Sequence, residues 1–131
     1  MKTKVFFFMI LFVTTVCAVN AQDKEVLGAW KLVNEKITAD GNTQIKLITA
    51  SNSTWILYGQ DGKLLNGGAS TYIVEDGKFI ETITAHGNPL FKGLKAIYTY
   101  KIEGKKMTLN GYLEKDGVKL MENNEVWEKI D

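Results

Sequence analysis

Five short turn sequences, spaced along the chain, limit what it can fold into. Each places a Gly directly after Asp or Glu: "ADGN" at 39–42, "QDGK" at 60–63, "EDGK" at 75–78, "IEGK" at 102–105 and "KDGV" at 115–118. Gly adopts the positive φ angles that tight hairpin turns require, and Asp-Gly is a strong hairpin signal. The segments between these turns alternate in polarity and show no helical stripe of useful length. The pattern therefore predicts antiparallel strands that pair in sequence order.

The strand pattern predicts a closed architecture. A meander of about eight strands can close into a barrel or split into a sandwich with two exposed edges, and only closure removes the edges. We therefore predict an all-β, antiparallel up-and-down β-barrel of about eight strands. The Gly pair of "NGG" at 66–68 predicts a tight bend or bulge before the fourth strand. The predicted strands are 28–37, 44–49, 53–60, 69–75, 78–85, 94–103, 105–113 and 117–129.

The first 21 residues have the pattern of a secretory signal peptide. Lys2 and Lys4 precede an apolar run over 5–16, and small residues stand before Gln22. The run is shorter than the roughly 20 apolar residues of a membrane-spanning helix. We expect a single domain over 22–131, secreted or periplasmic after cleavage. The sequence "TTVC" lacks the residues that usually precede a lipid-modified cysteine, so lipid anchoring at Cys17 is not favoured.

Charge and residue content argue against several classes of function. The chain has 16 basic residues against 15 acidic ones, and every basic residue is Lys. Without Arg forks or a basic stripe, nucleic acid is not an expected partner, and the scattered Lys residues are interpreted as solvated surface. The single Cys and single His, without a carboxylate cluster at ligand spacing, indicate no metal site. We expect no cofactor.

Alternation along the strands brings aromatic side chains to the apolar face. Trp30 shares a face with Leu32, where core packing is the simplest interpretation. In the strand 94–103, Tyr98 and Tyr100 share a face with Ala96. Two inward hydroxyl groups need partners, which a hydrated or liganded cavity supplies.

Glu81 is the residue whose orientation matters most. In "KFIETIT" it alternates with Phe79 and Ile83, so it points inward if they do. The other face, with Ile80, is also apolar enough to point inward, and Glu81 is then solvated. An inward carboxylate needs a partner such as a Tyr hydroxyl or a Lys. A register shift of one residue exchanges the two alternatives.

His86 opens the longest loop, "HGNPLFKG". It could act with Glu81 as an acid–base pair only if both line one cavity. Neither residue has a neighbour in sequence that completes a catalytic arrangement, so we do not expect an enzyme. Leu90 and Phe91 in the same loop, together with the turn over 58–63, are candidates for contact with a protein partner.

Two terminal segments and the middle of the chain carry a resemblance. "LGAWKLV" and "NEVWEKI" resemble the first and last strands of lipocalin-like (calycin) proteins, in which a Gly-x-Trp strand opens the barrel and the last strand returns beside it. The segment from "KLITAS" to "KFIETI" is similar to small secreted bacterial lipocalin-like domains of unknown function. In two features the sequence departs from larger lipocalins: Lys129 stands where an Arg commonly covers the opening Trp, and no helix follows before Asp131. The second departure favours a small or filled cavity.

The resemblance implies a barrel whose interior holds a small hydrophobic or amphipathic ligand. It does not identify the ligand, and it makes Trp30 a structural plug. The alternative is an interaction module, a filled barrel that presents its rim loops to an envelope or secreted protein. The predicted ligand-binding residues are Trp55, Tyr72, Glu81, Tyr98 and Tyr100, with no catalytic residues.

Overall fold

A computed structural model describes residues 24–130. The predicted signal peptide over 1–21, Cys17 and the start of the mature chain at Gln22 lie outside the described residues. Over residues 26–130, eight strands and one short helix follow one another: β1 (Gly28–Leu32), α1 (Glu35–Thr38), β2 (Thr43–Ile48), β3 (Asn52–Tyr58), β4 (Leu64–Glu75), β5 (Lys78–His86), β6 (Lys95–Glu103), β7 (Lys106–Lys115) and β8 (Val118–Lys129). A 3-10 turn, Pro89–Phe91, lies between β5 and β6. No helix within 24–130 is long and apolar enough to cross a bilayer.

The strands form a closed barrel in sequence order, which confirms the predicted fold class. Every neighbouring pair is antiparallel, and β1 closes the ring against β8 through the pairs Trp30↔Lys129 and Leu32↔Trp127. The Gly residues of all five predicted turns adopt positive φ, and at two of these turns Asp76 and Asp116 do so as well. Because the connections alternate between the two ends, the turns at 76–77 and 104–105 lie at one end. The loops at 59–63 and 87–94 lie at the other.

Two predicted strand boundaries were wrong. The first strand ends at Leu32 instead of residue 37, because the Asn34 side chain accepts a hydrogen bond from the Lys36 N–H at 3.0 Å and starts α1. The fourth strand begins at Leu64 instead of residue 69. Of the bend or bulge predicted at the Gly pair, the bend is absent because Gly67 and Gly68 lie inside β4, but register shifts typical of a β-bulge fall on either side of them.

One end of the barrel is packed with large side chains. The fully buried residues here include Trp30, Phe79, Met107, Leu109 and Trp127. The Trp30 indole N–H donates to the Val26 carbonyl at 2.8 Å, and Lys129 Nζ lies 5.4 Å from the Trp30 ring centroid. Trp30 therefore lies in the core, with the Lys over its ring. We refer to this end as the packed end.

Candidate ligand-binding cavity

The opposite half of the barrel encloses a cavity of about 210 Å³. It lies between the middle of the barrel and the end formed by the loops at 59–63 and 87–94, which we call the cavity end. The wall combines apolar residues with charged and hydrogen-bonding ones. The lining residues are Gln44, Lys46, Trp55, Ser70, Glu81, Ile83, His86, Phe91, Ala96, Tyr98, Leu113, Met121, Asn123 and Glu125.

A buried ion pair crosses the interior from β2 to β5. Lys46 Nζ lies 3.2 Å from Glu81 Oε1 and 3.3 Å from Oε2, with Lys46 2% and Glu81 6% exposed. A second carboxylate, that of Glu125 on β8, lies 3.7 Å from the same Nζ. The three side chains meet inside the barrel, so each lies at an inward position of its strand. Successive side chains of a strand alternate between the inner and outer face. The cavity wall therefore holds one cation between two carboxylates.

The two carboxylates keep Lys46 charged. Burial alone lowers the pKa of a Lys, but the charges of Glu81 and Glu125 and their hydrogen bonds outweigh it and raise the pKa of Lys46 above its ordinary value. The ammonium group also lies 5.2 Å from the Trp127 ring centroid. Lys46 is thus an ammonium ion at neutral pH, held inside the barrel by Glu81 and Glu125.

Glu125 is surrounded by hydrogen-bond donors. Trp127 Nε1 donates to its Oε2 at 2.8 Å, and Asn123 Nδ2 donates to its Oε1 at 3.1 Å. The Tyr98 hydroxyl donates to Oε1 at 3.4 Å and accepts from Asn123 Nδ2 at 2.6 Å. Burial, followed by the charges of Glu125 and Glu81, raises the pKa of Tyr98. Tyr98 therefore keeps its proton as a donor within this network.

Three aromatic rings form the wall near the 87–94 loop. The His86 ring stacks on Phe91 with centroids 4.6 Å apart and meets Trp55 edge to face at 5.3 Å. His86 Nδ1 accepts the Asn88 N–H at 2.9 Å, so in this arrangement Nδ1 carries no proton. The indole of Trp55 has room because of Gly68, where a Cβ would lie 2.6 Å from Trp55 Nε1. The Gly pair thus serves the site by close approach instead of by a bend.

The structure brings together three of the five predicted site residues. Trp55, Glu81 and Tyr98 line the cavity. Tyr72 and Tyr100 pack against the buried core and are not among the lining residues. The Tyr72 hydroxyl donates to the Thr49 carbonyl at 2.6 Å, and its ring lies 4.7 Å from that of Phe79. Of the two orientations left open for Glu81, the inward one is observed, with a Lys as the partner.

Three members of the polar network were missed by the sequence analysis: Lys46, Asn123 and Glu125. The interpretation of the Lys residues as solvated surface is wrong for Lys46, which is buried. A usable signal was the two-residue spacing from Trp127, which places Glu125 and Asn123 on the same face of the last strand. For Lys46 the sequence offered no comparable signal, because its inward orientation follows from its pairing opposite Trp30 in the β1–β2 register of the structure.

Fold and site together define a small closed antiparallel barrel, packed at one end and hollow and polar at the other. Within residues 24–130, no group of three or more His, Cys, Asp or Glu side chains is placed to hold a metal ion.

Comparison with known proteins does not assign this barrel to a family. No family model and no curated protein matches the chain. The solved structure of a "REP1-NXSQ fatty acid transporter" is similar at 11% sequence identity and a TM-score of 0.42, over 82% of this chain and 98% of that chain. A likeness this distant carries no argument about the ligand.

Proposed function

We infer that this protein is a secreted or periplasmic lipocalin-like barrel that binds a small amphipathic molecule in its cavity and releases it unchanged. The observation that carries the proposal is the cavity itself. It places the buried Lys46–Glu81 pair among apolar residues such as Ile83, Phe91 and Leu113. A few placed polar groups on an apolar wall are what a small-molecule site needs.

The contrast within the barrel supports binding over a purely structural role. Burying an ion pair is often no better for stability than filling the same space with apolar side chains. The packed end shows that this fold can be filled completely, with Trp30 and Trp127 fully buried. The cavity end instead keeps a space and charged groups, which fits a site selected for recognition.

The size of the cavity limits the ligand. At about 210 Å³ it falls below the roughly 300 Å³ at which drug-sized pockets begin. The ligand is therefore a compact molecule with a short apolar part, and a long extended chain would have to project beyond the cavity.

We propose that Glu81 and His86 bind the ligand without catalysing a reaction on it. Both residues line the cavity, as an acid–base mechanism requires. Their hydrogen bonds, however, lead elsewhere: Glu81 accepts from Lys46, and His86 accepts from the Asn88 N–H. Neither bond prepares a nucleophile for attack.

Native mass spectrometry of the protein purified from its own host tests the proposal. We expect a reproducible small-molecule adduct on the wild type that is lost on denaturation. Ala96→Leu, which adds volume at a cavity residue only 2% exposed, should remove the adduct. Ala85→Leu is the matched control, because Ala85 is exposed on the neighbouring strand. A bare polypeptide mass for the wild type, together with no binding of added amphiphiles, would overturn the proposal.

The second candidate function is an interaction module that uses the rim loops. The observation that favours it is the exposure of Leu90, 82%, and Leu64, 64%, both near the cavity end. Leu90→Asp tests it without touching the cavity wall, whereas Phe91 lines the cavity and cannot separate the two functions. If a rim partner exists, capture from the native compartment should fail with Leu90→Asp. Unchanged capture would remove this candidate.

A further inference from the structure

We propose that the ligand of this cavity carries a positively charged nitrogen, an ammonium or alkylammonium group, which binds against Glu81. The proposal rests on the proposed function and adds the chemical class of the ligand. Its basis is a charge imbalance inside the barrel, a carboxylate with unused acceptor capacity and an aromatic wall.

The charges of the cavity do not balance. Five titratable side chains line it: Lys46, Glu81, His86, Tyr98 and Glu125. With His86 accepting at Nδ1 and Tyr98 protonated, the charged groups are one ammonium and two carboxylates. Charges in a low-dielectric interior are strongly favoured to be paired. A ligand cation would complete the pairing, whereas a ligand carboxylate would place a third anion around one Lys.

Glu81 is the carboxylate with capacity to spare. Among the described residues its only hydrogen-bond donor is Lys46 Nζ, which both of its oxygens share at 3.2 and 3.3 Å. An ionised carboxylate offers about four lone-pair positions. Glu125, by contrast, already accepts from Trp127, Asn123 and Tyr98. An N–H donor entering the cavity would therefore find its acceptor at Glu81.

The aromatic wall suits the same ligand. The His86 ring contacts both Trp55 and Phe91, and all three rings line the cavity near the 87–94 loop. The faces of aromatic rings attract cations, Trp most strongly, and such groups of rings recognise ammonium ligands. The apolar remainder of the wall would hold a short alkyl or aryl group.

Three probes of equal length and different head charge test the inference: hexylamine, 1-hexanol and hexanoate. Their dissociation constants for the wild-type protein are measured at pH 7 by titration calorimetry. Hexylammonium should bind roughly tenfold or more tightly than hexanol, as a charge-assisted hydrogen bond implies, and hexanoate should bind weakest. This comparison uses only the wild type and does not depend on a variant folding.

Two variants locate the preference. Glu81→Gln keeps the shape of the side chain and leaves Lys46 with Glu125, so the amine-to-alcohol preference should fall to within about twofold of unity. Glu103→Gln is the matched control, because Glu103 pairs with Lys101 on the exposed surface, and it should keep the full preference.

The outcomes separate the two proposals. If all three probes bind equally, or hexanoate binds most tightly, the cationic ligand is wrong while the binding barrel stands. If the preference for hexylammonium survives in Glu81→Gln, the assignment to Glu81 is wrong. If none of the probes binds and the native protein carries no adduct, the proposed function fails and the ligand class with it.

Discussion

The two halves of this barrel are built from the same alternating strands but solve different problems. At the packed end, the inward positions are Trp30, Phe79, Met107, Leu109 and Trp127, all fully buried. At the cavity end, the inward positions include Lys46, Glu81 and Glu125 around a space of about 210 Å³. Strand alternation decides which side chains point inward. It does not decide whether the interior is filled.

The difference shows how one small core can combine stability with a charged cavity. Removing apolar area from water is the main favourable term in folding, and the packed end supplies much of it. The charges lie next to that packing, as β8 shows by carrying Glu125 two residues before Trp127, whose indole N–H donates to the Glu125 carboxylate. The packed end therefore positions the site, and changes at the two ends should be separable by experiment.

The largest expected effect is at the packed end. Trp30→Ala should lower the free energy of unfolding by about 3–5 kcal/mol, because it leaves a cavity where the fully buried indole was. Chemical denaturation measures this change. Trp55→Ala is the matched control on the cavity wall, where the ring is only partly buried. It should lower the free energy of unfolding less than Trp30→Ala does and weaken ligand binding more. Equal losses in stability would contradict the division into two ends.

A comparable loss at the cavity end should have an electrostatic cause. Lys46→Met leaves two carboxylates without their shared cation and should lower the free energy of unfolding by about 3–5 kcal/mol. Lys101→Met is the control for an exposed pair, with 71% of the Lys101 side chain accessible, and should change stability by about 1 kcal/mol or less.

The double variant Lys46→Met/Glu81→Leu sharpens this comparison. It removes the pair as a unit and leaves Glu125 with its three hydrogen-bond donors, so much of the lost stability should return. A double-mutant cycle measured by denaturation isolates the coupling between the two sites. If the losses simply add, the ion pair does not link β2 to β5.

The smallest expected effect is a loss of stability in alkali. The pKa of Tyr98 in the folded state is raised above its ordinary 10.0. The protonated hydroxyl therefore makes its full contribution to folding stability below pH 10.0. Above it, the unfolded chain loses the proton first and stability falls. The raised pKa of Lys46 has the same effect. The stabilisation due to its charge is present below pH 10.5, the ordinary pKa of Lys, and is lost as the pH rises through the pKa of Lys46 in the folded protein.

Tyr98→Phe tests the tyrosine part of this alkaline loss. The variant should be about 1 kcal/mol less stable at neutral pH, having lost one hydrogen-bonding hydroxyl. Above about pH 10 the gap to the wild type should narrow, because the variant has no proton to lose at this position. Denaturation curves across this range measure the gap, and parallel declines would show that Tyr98 does not contribute.

The fold was predictable from the sequence because its signals are local. Asp-Gly turns fix where hairpins form, and the Gly-x-Trp and final Trp segments indicated closure of the first strand on the last. The site depends on register, which is not local. Glu81 lies on a strand with apolar residues on both faces, so alternation left its orientation open.

The inward orientation of Lys46 was not predicted from the sequence for a related reason. In β2 its outward neighbour Leu47 is 51% exposed while Lys46 itself is buried. The polarity pattern of this strand therefore predicts the opposite orientation, with Leu47 inside and Lys46 outside. Only the pairing of Lys46 opposite Trp30 places it inside, and the sequence did not predict this β1–β2 register, because α1 occupies part of the predicted first strand.

The pairing of β1 with β8 also has a consequence for how the chain reaches its native state. All other neighbours are joined by short connections, whereas this seam joins segments separated by almost the full described length. Closing so long a loop costs more chain entropy than forming any hairpin, so the seam forms late. Until then both terminal strands present unpaired backbone edges, and the interval before closure is when the protein is most prone to self-association.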